Sequence, residues 1–535
     1  MNAYIILFAV AMVLIPRTVQ INGPGDERIN RTKAREHYNK GLLLLHNFEY
    51  VDAAEEFRAA QAEDPDLVLA YWGEAMTCDH PIWNELNLDV ARATLAKLGE
   101  SRDARISKGE TPLEKDFIQS VEILFGEGSR PERQKAYSEF LGTLRKKYPD
   151  NDDVAAFYAL SLLALKTGWE KWEDYNTRAE EITKAILTRN PDHAGALHYR
   201  VHANDHPVYA QQGLISADRY ARIASYAGHA LHMPSHIYLA LGRWDDVVRS
   251  NEVSWQAGVD RKVQKELDND QLNYHAHLWL AYGYLQQGRF DLAAKLIADQ
   301  EQYTKELPSP RARYHLFAMK GHYLFNTNRW TGPIAKMQVD LTNVDASTDY
   351  SNTFVDGYAL FHSRDERALD ALVNQFEATL SKDKKLQKEN ETAPVCGVSR
   401  YNNKVPGVRE IRHGFAHLNQ LKGLQAWLNN DNEPADKFFK ESLPPTGSVV
   451  VGPPGFLISP HELYGNFLLQ TGRPAQALEQ FNLALAASPE RILALKGKLN
   501  SAQALNDKKT ASETLTRLKA ILKNADAGVA DTFIR

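Results

Sequence analysis

Apolar residues recur along most of this chain at helical spacing, and no stretch alternates long enough to read as a strand. Segments 117–124, 133–146 and 154–165 carry the period of three to four residues, and most other segments pair off around short turns. The predicted elements are therefore helical hairpins. Gly41, Ala53, Phe57, Ala60 and Pro65 recur at the same mutual spacing as Gly465, Ala477, Phe481, Ala484 and Pro489. The small residues let the two helices of a hairpin approach, the phenylalanine fills the gap to the next unit, and the proline ends the second helix.

The pattern predicts an all-α superhelix of about ten such hairpins. It divides into N-terminal and central repeats over 34–380, a charged loop over 381–412, and C-terminal repeats with capping helices over 413–535. Residues 101–115 and 169–175 also read as loops. A linker over 21–33 precedes the repeats, and residues 1–20 read as a signal peptide or an N-terminal anchor.

Histidine breaks the pattern. Of 18 histidines, 11 fall between His193 and His322. His198 and His202 are separated by one helical turn, and so are His232 and His236, 34 residues further on. Equal positions in successive units put two imidazole pairs side by side. This predicts a quadrilateral, with 198 beside 232 and 202 beside 236, and with His229 and His275 at its edge. Neutral imidazole is the commonest ligand for zinc, copper and iron, and neighbouring packed helices lie close enough to share an ion. No cysteine is near, so a thiolate site is excluded. Asp205 and Glu252 are the carboxylates placed to orient imidazoles from behind. A groove that binds an organic ligand or peptide, and purely structural histidines, are the competing readings. Groove positions are expected to carry little packing.

The 34-residue unit resembles the tetratricopeptide superfamily over most of residues 34–522. In that superfamily the first helix of each unit lines a concave groove through its phases 2, 5, 9, 12 and 13. The resemblance places His198 and His232 at phase 5, His202 and His236 at phase 9, and His229, His275 and His315 at phase 2. It places His322 at phase 9, His80 at phase 13 and Glu462 at phase 5 of a late unit, all bordering the groove. His277 falls at a packing phase. The chain also resembles a narrower group of bacterial repeat proteins. These carry a run like H-P-G-A-L-H-Y-x-I-H-x-x-D-D-P, then one like H-A-x-H-M-P-S-H-I-F-x-x-L-G-x-W. The matches here are His193, the run from Gly195 to Tyr199, His202 and Asp205, then the stretch from His229 to Ile237 and Trp244. His206 departs from the pattern. This resemblance supplies candidate residues and no reaction.

Composition narrows the function. The net charge of −5, with both signs interspersed, argues against a nucleic-acid or anionic-membrane surface. The two cysteines, Cys78 and Cys396, make no disulfide framework. No Gly-rich phosphate loop or Ser-His-Asp spacing is present. The expectation is an exported metalloprotein holding copper, zinc or iron in its groove, with a metal-dependent oxidoreductase as the leading reading. The alternative is an interaction scaffold that binds a peptide, a protein partner or an organic ligand there.

Residues 4–15 form an uninterrupted apolar run, too short for a comfortable span and suited to the core of a signal peptide. The mature protein is expected to begin between about residues 17 and 25. N-terminal sequencing of natively expressed protein checks this, and a retained Met1 in a cytosolic fraction would reject it.

Overall fold

A computed structural model describes residues 32–83, 85–165, 172–223, 227–390, 406–445 and 457–534. The apolar leader, Cys396 and residues 391–405 of the segment read as a charged loop lie outside them. Regular structure among the described residues is helical apart from one two-stranded ladder, Asp79–His80 with Glu85–Leu86. No described helix is long and apolar enough to cross a membrane. The loop expected over 381–412 is helical at both of its described ends, because the helix Glu366–Asn390 continues through its lysine-rich start and another helix begins at Val408. Lysine and glutamate are good helix formers, and charge alone does not make a loop. Residues 101–115 likewise include the helix Arg102–Ser107 and the start of Pro112–Leu124.

Hairpin packing follows the repeat chemistry. Phe57 is wholly buried between Gly41 and Gly73; a Cβ added at Gly73 would stand 2.3 Å from its ring. Phe481 sits in the same way between Gly465 and Gly497. Glycine is required at these positions because the next helix presses directly on the ring.

Both ends of the chain dock on the central, histidine-bearing repeats. From the N-terminal side, Asp52 takes Arg261 Nε and Lys265 Nζ, each at 2.9 Å, and Asn47 Oδ1 accepts from Tyr220 at 2.9 Å. From the C-terminal side, Trp244 Nε1 donates to the Glu490 carbonyl at 2.9 Å, and the Ile492 amide donates to Gln286 at 3.1 Å. The Asp526 amide reaches the Gly288 carbonyl at 3.0 Å. The stack is clasped rather than left open.

Glu462 belongs to this clasp. Its carboxylate faces inward but is buried, closes a capping box with Ser459, and takes Arg491 Nε at 2.6 Å. Arg491 in turn donates to Tyr282 Oη at 2.6 Å. The residue thus holds two sections of the solenoid together and is not free to serve at the histidines. Removing one member of a buried pair strands the other's charge, so Glu462→Ala is expected to cost about 3–5 kcal/mol. Chemical unfolding of the variant measures this; a loss within experimental error would show that the clasp contributes nothing.

Candidate metal centre

Three successive repeats supply the six histidines. His198 and His202 stand one turn apart on the helix Ala194–Asn204. His229 and His232 lie on Gly228–His232, and His236 lies on Pro234–Ala240. Pro234 has no N–H to give, which divides that helix at Met233. His275 opens the helix Tyr274–Gln286.

The structure sorts these residues into two triads. Donor nitrogens of His198, His202 and His229 lie within 4.8 Å of one another, and so do those of His232, His236 and His275. The expected quadrilateral is therefore corrected. His198 Nε2 faces His229 Nε2 at 3.3 Å, and His232 Nε2 faces His236 Nε2 at 3.1 Å. Each one-turn pair is closed by the phase-2 histidine of the following unit, so His229 and His275 complete the groups they were expected to border. The third unit has Leu278 and Tyr282 at its phases 5 and 9, which ends the series. The triads abut, with the His202 and His236 rings 6.0 Å apart and the His229 and His232 rings 6.4 Å apart.

Hydrogen bonds fix which nitrogen faces inward. His198 Nδ1 is 2.6 Å from the backbone carbonyl of His46, which can only accept. His236 Nδ1 donates to the Asp205 carboxylate at 2.7 Å. His232 Nδ1 is 2.6 Å from Asn251 Oδ1, and the amide's orientation is set because Asn251 Nδ2 donates to the Val247 carbonyl at 2.7 Å. All three rings therefore carry a proton on Nδ1, and His198 and His232, which burial keeps neutral, present a lone pair at Nε2. In the second triad the Nε2 atoms of His232 and His236 point at each other across 3.1 Å. Such a contact calls for a cation between the two nitrogens, a proton or a metal ion. Two nitrogens bound to one ion at 2.0–2.1 Å in tetrahedral geometry lie roughly 3.3 Å apart.

Burial, with the neighbouring His236, lowers the His232 pKa to about 3. Burial likewise lowers His198 to about 3 and holds His229 and His275 well below their ordinary value. These four imidazoles are neutral at pH 7, the state a metal ligand requires.

Aromatic rings wall the centre. Trp279 packs on His236 at 4.5 Å and on His232 at 4.9 Å between ring centres. Phe48 lies 4.3 Å from His198, and the partly buried Trp83 meets His229 edge-on at 5.3 Å. His198 and His232 are themselves fully buried, against the expectation that groove positions carry little packing. The first hairpin covers His198, and Trp279 with Asn251 encloses His232. Only His229 and His275 keep partial exposure, so the centre opens on their side.

A third cluster lies behind the first triad. Asp153 Oδ1 takes His46 Nε2 at 2.9 Å and lies 3.3 Å from His193 Nε2. His46 Nδ1 pairs with Tyr199 Oη at 2.9 Å, and His193 Nδ1 accepts from the Ala196 amide at 3.2 Å. Burial pushes the Asp153 carboxyl up, but hydrogen bonds from His193 and His46 outweigh this and hold it far below the usual range. Both nitrogens of His46 are engaged and His193 Nε2 lies against the same carboxylate, so the cluster reads as a brace for the carbonyl that orients His198. Gly195 leaves room for it, since a Cβ there would stand 2.3 Å from His46 Nδ1.

Of the outer residues predicted, Asp205 takes its expected place. Glu252 does not: it accepts from Tyr284 Oη at 2.6 Å, and its neighbour Asn251 serves His232 instead. One residue is about 100° of helical rotation, enough to change faces. His80 is on the β-ladder and not on a helix; its ring stacks on Tyr50 at 3.9 Å, behind Trp83. His315 bonds the Arg311 carbonyl at 2.7 Å, and the His322 ring lies 5.1 Å from that of Tyr282, so neither joins a triad. His46, Asp153, Asn251 and Trp279 were missed. The adjacency of His193 to the motif run was the one signal that pointed to the brace.

No protein-family model matches this chain, and no curated protein matches it. Solved structures do. The TPR domain of P58(IPK) aligns at 12% identity over 89% of this chain and 99% of its own, with a TM-score of 0.20. A structure of Naa15/Naa10 bound to HypK-THB aligns at 12% identity over 95% of this chain and 66% of the matched one, with a TM-score of 0.24. The fold itself rests on the hairpins described above. Their 34-residue spacing, their glycine–phenylalanine packing and their side-by-side stacking make the chain an all-α solenoid of tetratricopeptide-like repeats.

Proposed function

We propose that the chain is a metalloprotein in which each histidine triad holds one transition-metal ion, and that the pair of ions serves a metal-dependent oxidoreductase acting on a small molecule. The observation that carries this is the two Nε2 atoms converging from His232 and His236 across 3.1 Å, with Nδ1 of each ring engaged by Asn251 and Asp205. All six donors are imidazole. That favours copper or zinc over the carboxylate-containing set typical of non-haem iron. Three ligands per ion leave coordination positions open for a reactant.

The groove supports a small ligand better than a peptide. Its histidine face is covered by the chain's own turn at 46–49, through the His46 carbonyl and the Phe48 ring. The solenoid fold keeps a second reading alive, a scaffold binding a partner elsewhere along its length. We also carry forward export, for which the N-terminal apolar run is the support.

Protein loaded under metal-replete conditions is expected to hold two ions per chain by elemental analysis, one for each triad. His275→Ala, at a partly exposed position, should reduce this to one without loss of helix by circular dichroism. Asp205→Asn should weaken the more loosely held ion or the second triad by about 10- to 100-fold. Wild-type protein with no stoichiometric transition metal would reject the proposal. Loss of partner binding in a metal-free protein would favour the scaffold.

The metal-free protein should also lose stability on acidification. His198, His229, His232 and His275 are neutral when folded but take protons near 6.5 when unfolded. The unfolded state binds more protons, so stability is full above pH 6.5 and falls as pH drops below it, towards about 3. Denaturant midpoints measured between pH 7 and pH 5 test this; a flat profile would contradict it.

A further inference from the structure

We infer that the loaded centre binds a small anion, held between the two ions and by the indole N–H of Trp279. The inference rests on the dinuclear reading above and adds the class of ligand it takes.

The first argument is charge. Two divalent ions bring four positive charges into a largely buried space, and six neutral imidazoles bring none to offset them. Two carboxylates touch the triads from outside. Asp205 is bound to His236 Nδ1, and Glu49 receives the His229 amide at 2.9 Å. Neither is among the grouped donors, and together they offset at most half of the charge. Buried charge is costly unless it is paired, so the remainder calls for an anion entering from solution. The open coordination positions let that anion bind the ions directly.

The second argument is independent of the metal count. Trp279 is fully buried, and its Nε1–H is a buried donor with no hydrogen-bond partner. Its ring lies 4.5 Å from His236, 4.9 Å from His232 and 5.6 Å from His275, against all three members of the second triad. A buried indole N–H normally finds an acceptor. The acceptor that suits this position is electron-rich and small, since the neighbouring space is taken by rings. The triads abut, with the His202–His236 and His229–His232 ring centres 6.0 and 6.4 Å apart, so the anion we infer is a small one lying between them. Entry would be past His229 and His275, the partly exposed ligands.

Azide is the probe. Metal content is measured first on copper(II)-loaded full-length protein, and azide is then titrated while the absorption spectrum is followed. A saturable new band is expected, with tighter binding at two ions per chain than at one. Trp279→Phe should weaken azide about tenfold, the loss of one hydrogen bond to a charged group, with metal content unchanged. A spectrum indifferent to azide in fully loaded protein overturns the inference and leaves the metal sites standing. Equal affinity at one and at two ions overturns the bridging position, and this comparison needs no variant. Equal affinity in Trp279→Phe overturns the role of the indole. Protein that takes up no metal fails at the first measurement and overturns the dinuclear reading itself.

Discussion

A buried imidazole has to place both of its nitrogens, and that constraint organises the middle of this protein. His198 spends one nitrogen on a backbone carbonyl, His232 on an amide and His236 on a carboxylate. What remains in each case is an Nε2 turned into one of the two abutting histidine groups. The partners come from distant parts of the chain: a turn of the first hairpin, the second helix of the His232 repeat and the end of the helix that carries His202. Fixing three rings therefore fixes how these segments stack, and the histidine tautomers and the superhelix are set together.

Much of this was legible in the sequence. The 34-residue interval between two one-turn histidine pairs identified both the repeat and the face. The phase-2 position brought in His229 and His275. The grouping was not legible, because phase numbers say which face a residue occupies and not how far one helix slides along its neighbour. That offset pairs His198 with His229 rather than with His232. The supporting residues were hidden for another reason. Asp153 lies 107 positions from His46, and His46 lies 152 from His198, so no local pattern connects them. Asn251 shows the limit of choosing by charge: the carboxylate of Glu252 was the natural expectation, and the neutral amide beside it made the contact.

The solenoid is used here in an unusual direction. Tetratricopeptide-like hairpins build a curved surface from neighbours in sequence, and that surface generally stays open. In this chain the concave face is occupied by the chain itself, with the N-terminal turn seated on the histidine helices and the C-terminal repeats locked to the turns at Gly242 and Gly288. A repeat array, whose stability is ordinarily local and additive, becomes dependent on contacts far apart in sequence. Such closure gives a rigid frame, which a set of ligands held to within fractions of an ångström requires.

Phe48 shows what the site asks of the scaffold. It occupies the left-handed region at φ 59°, at the turn position where later repeats have Gly242, Gly288 and Gly472 at φ 68°, 70° and 76°. A bulky residue there is strained, and glycine would relieve it. Yet the ring of Phe48 is the surface on which His198 rests. Selection for a stable repeat and selection for a shaped cavity thus pull this one position in opposite directions. The first hairpin is consequently a repeat that could not be exchanged for a copy of its neighbours, however well such a copy would fold.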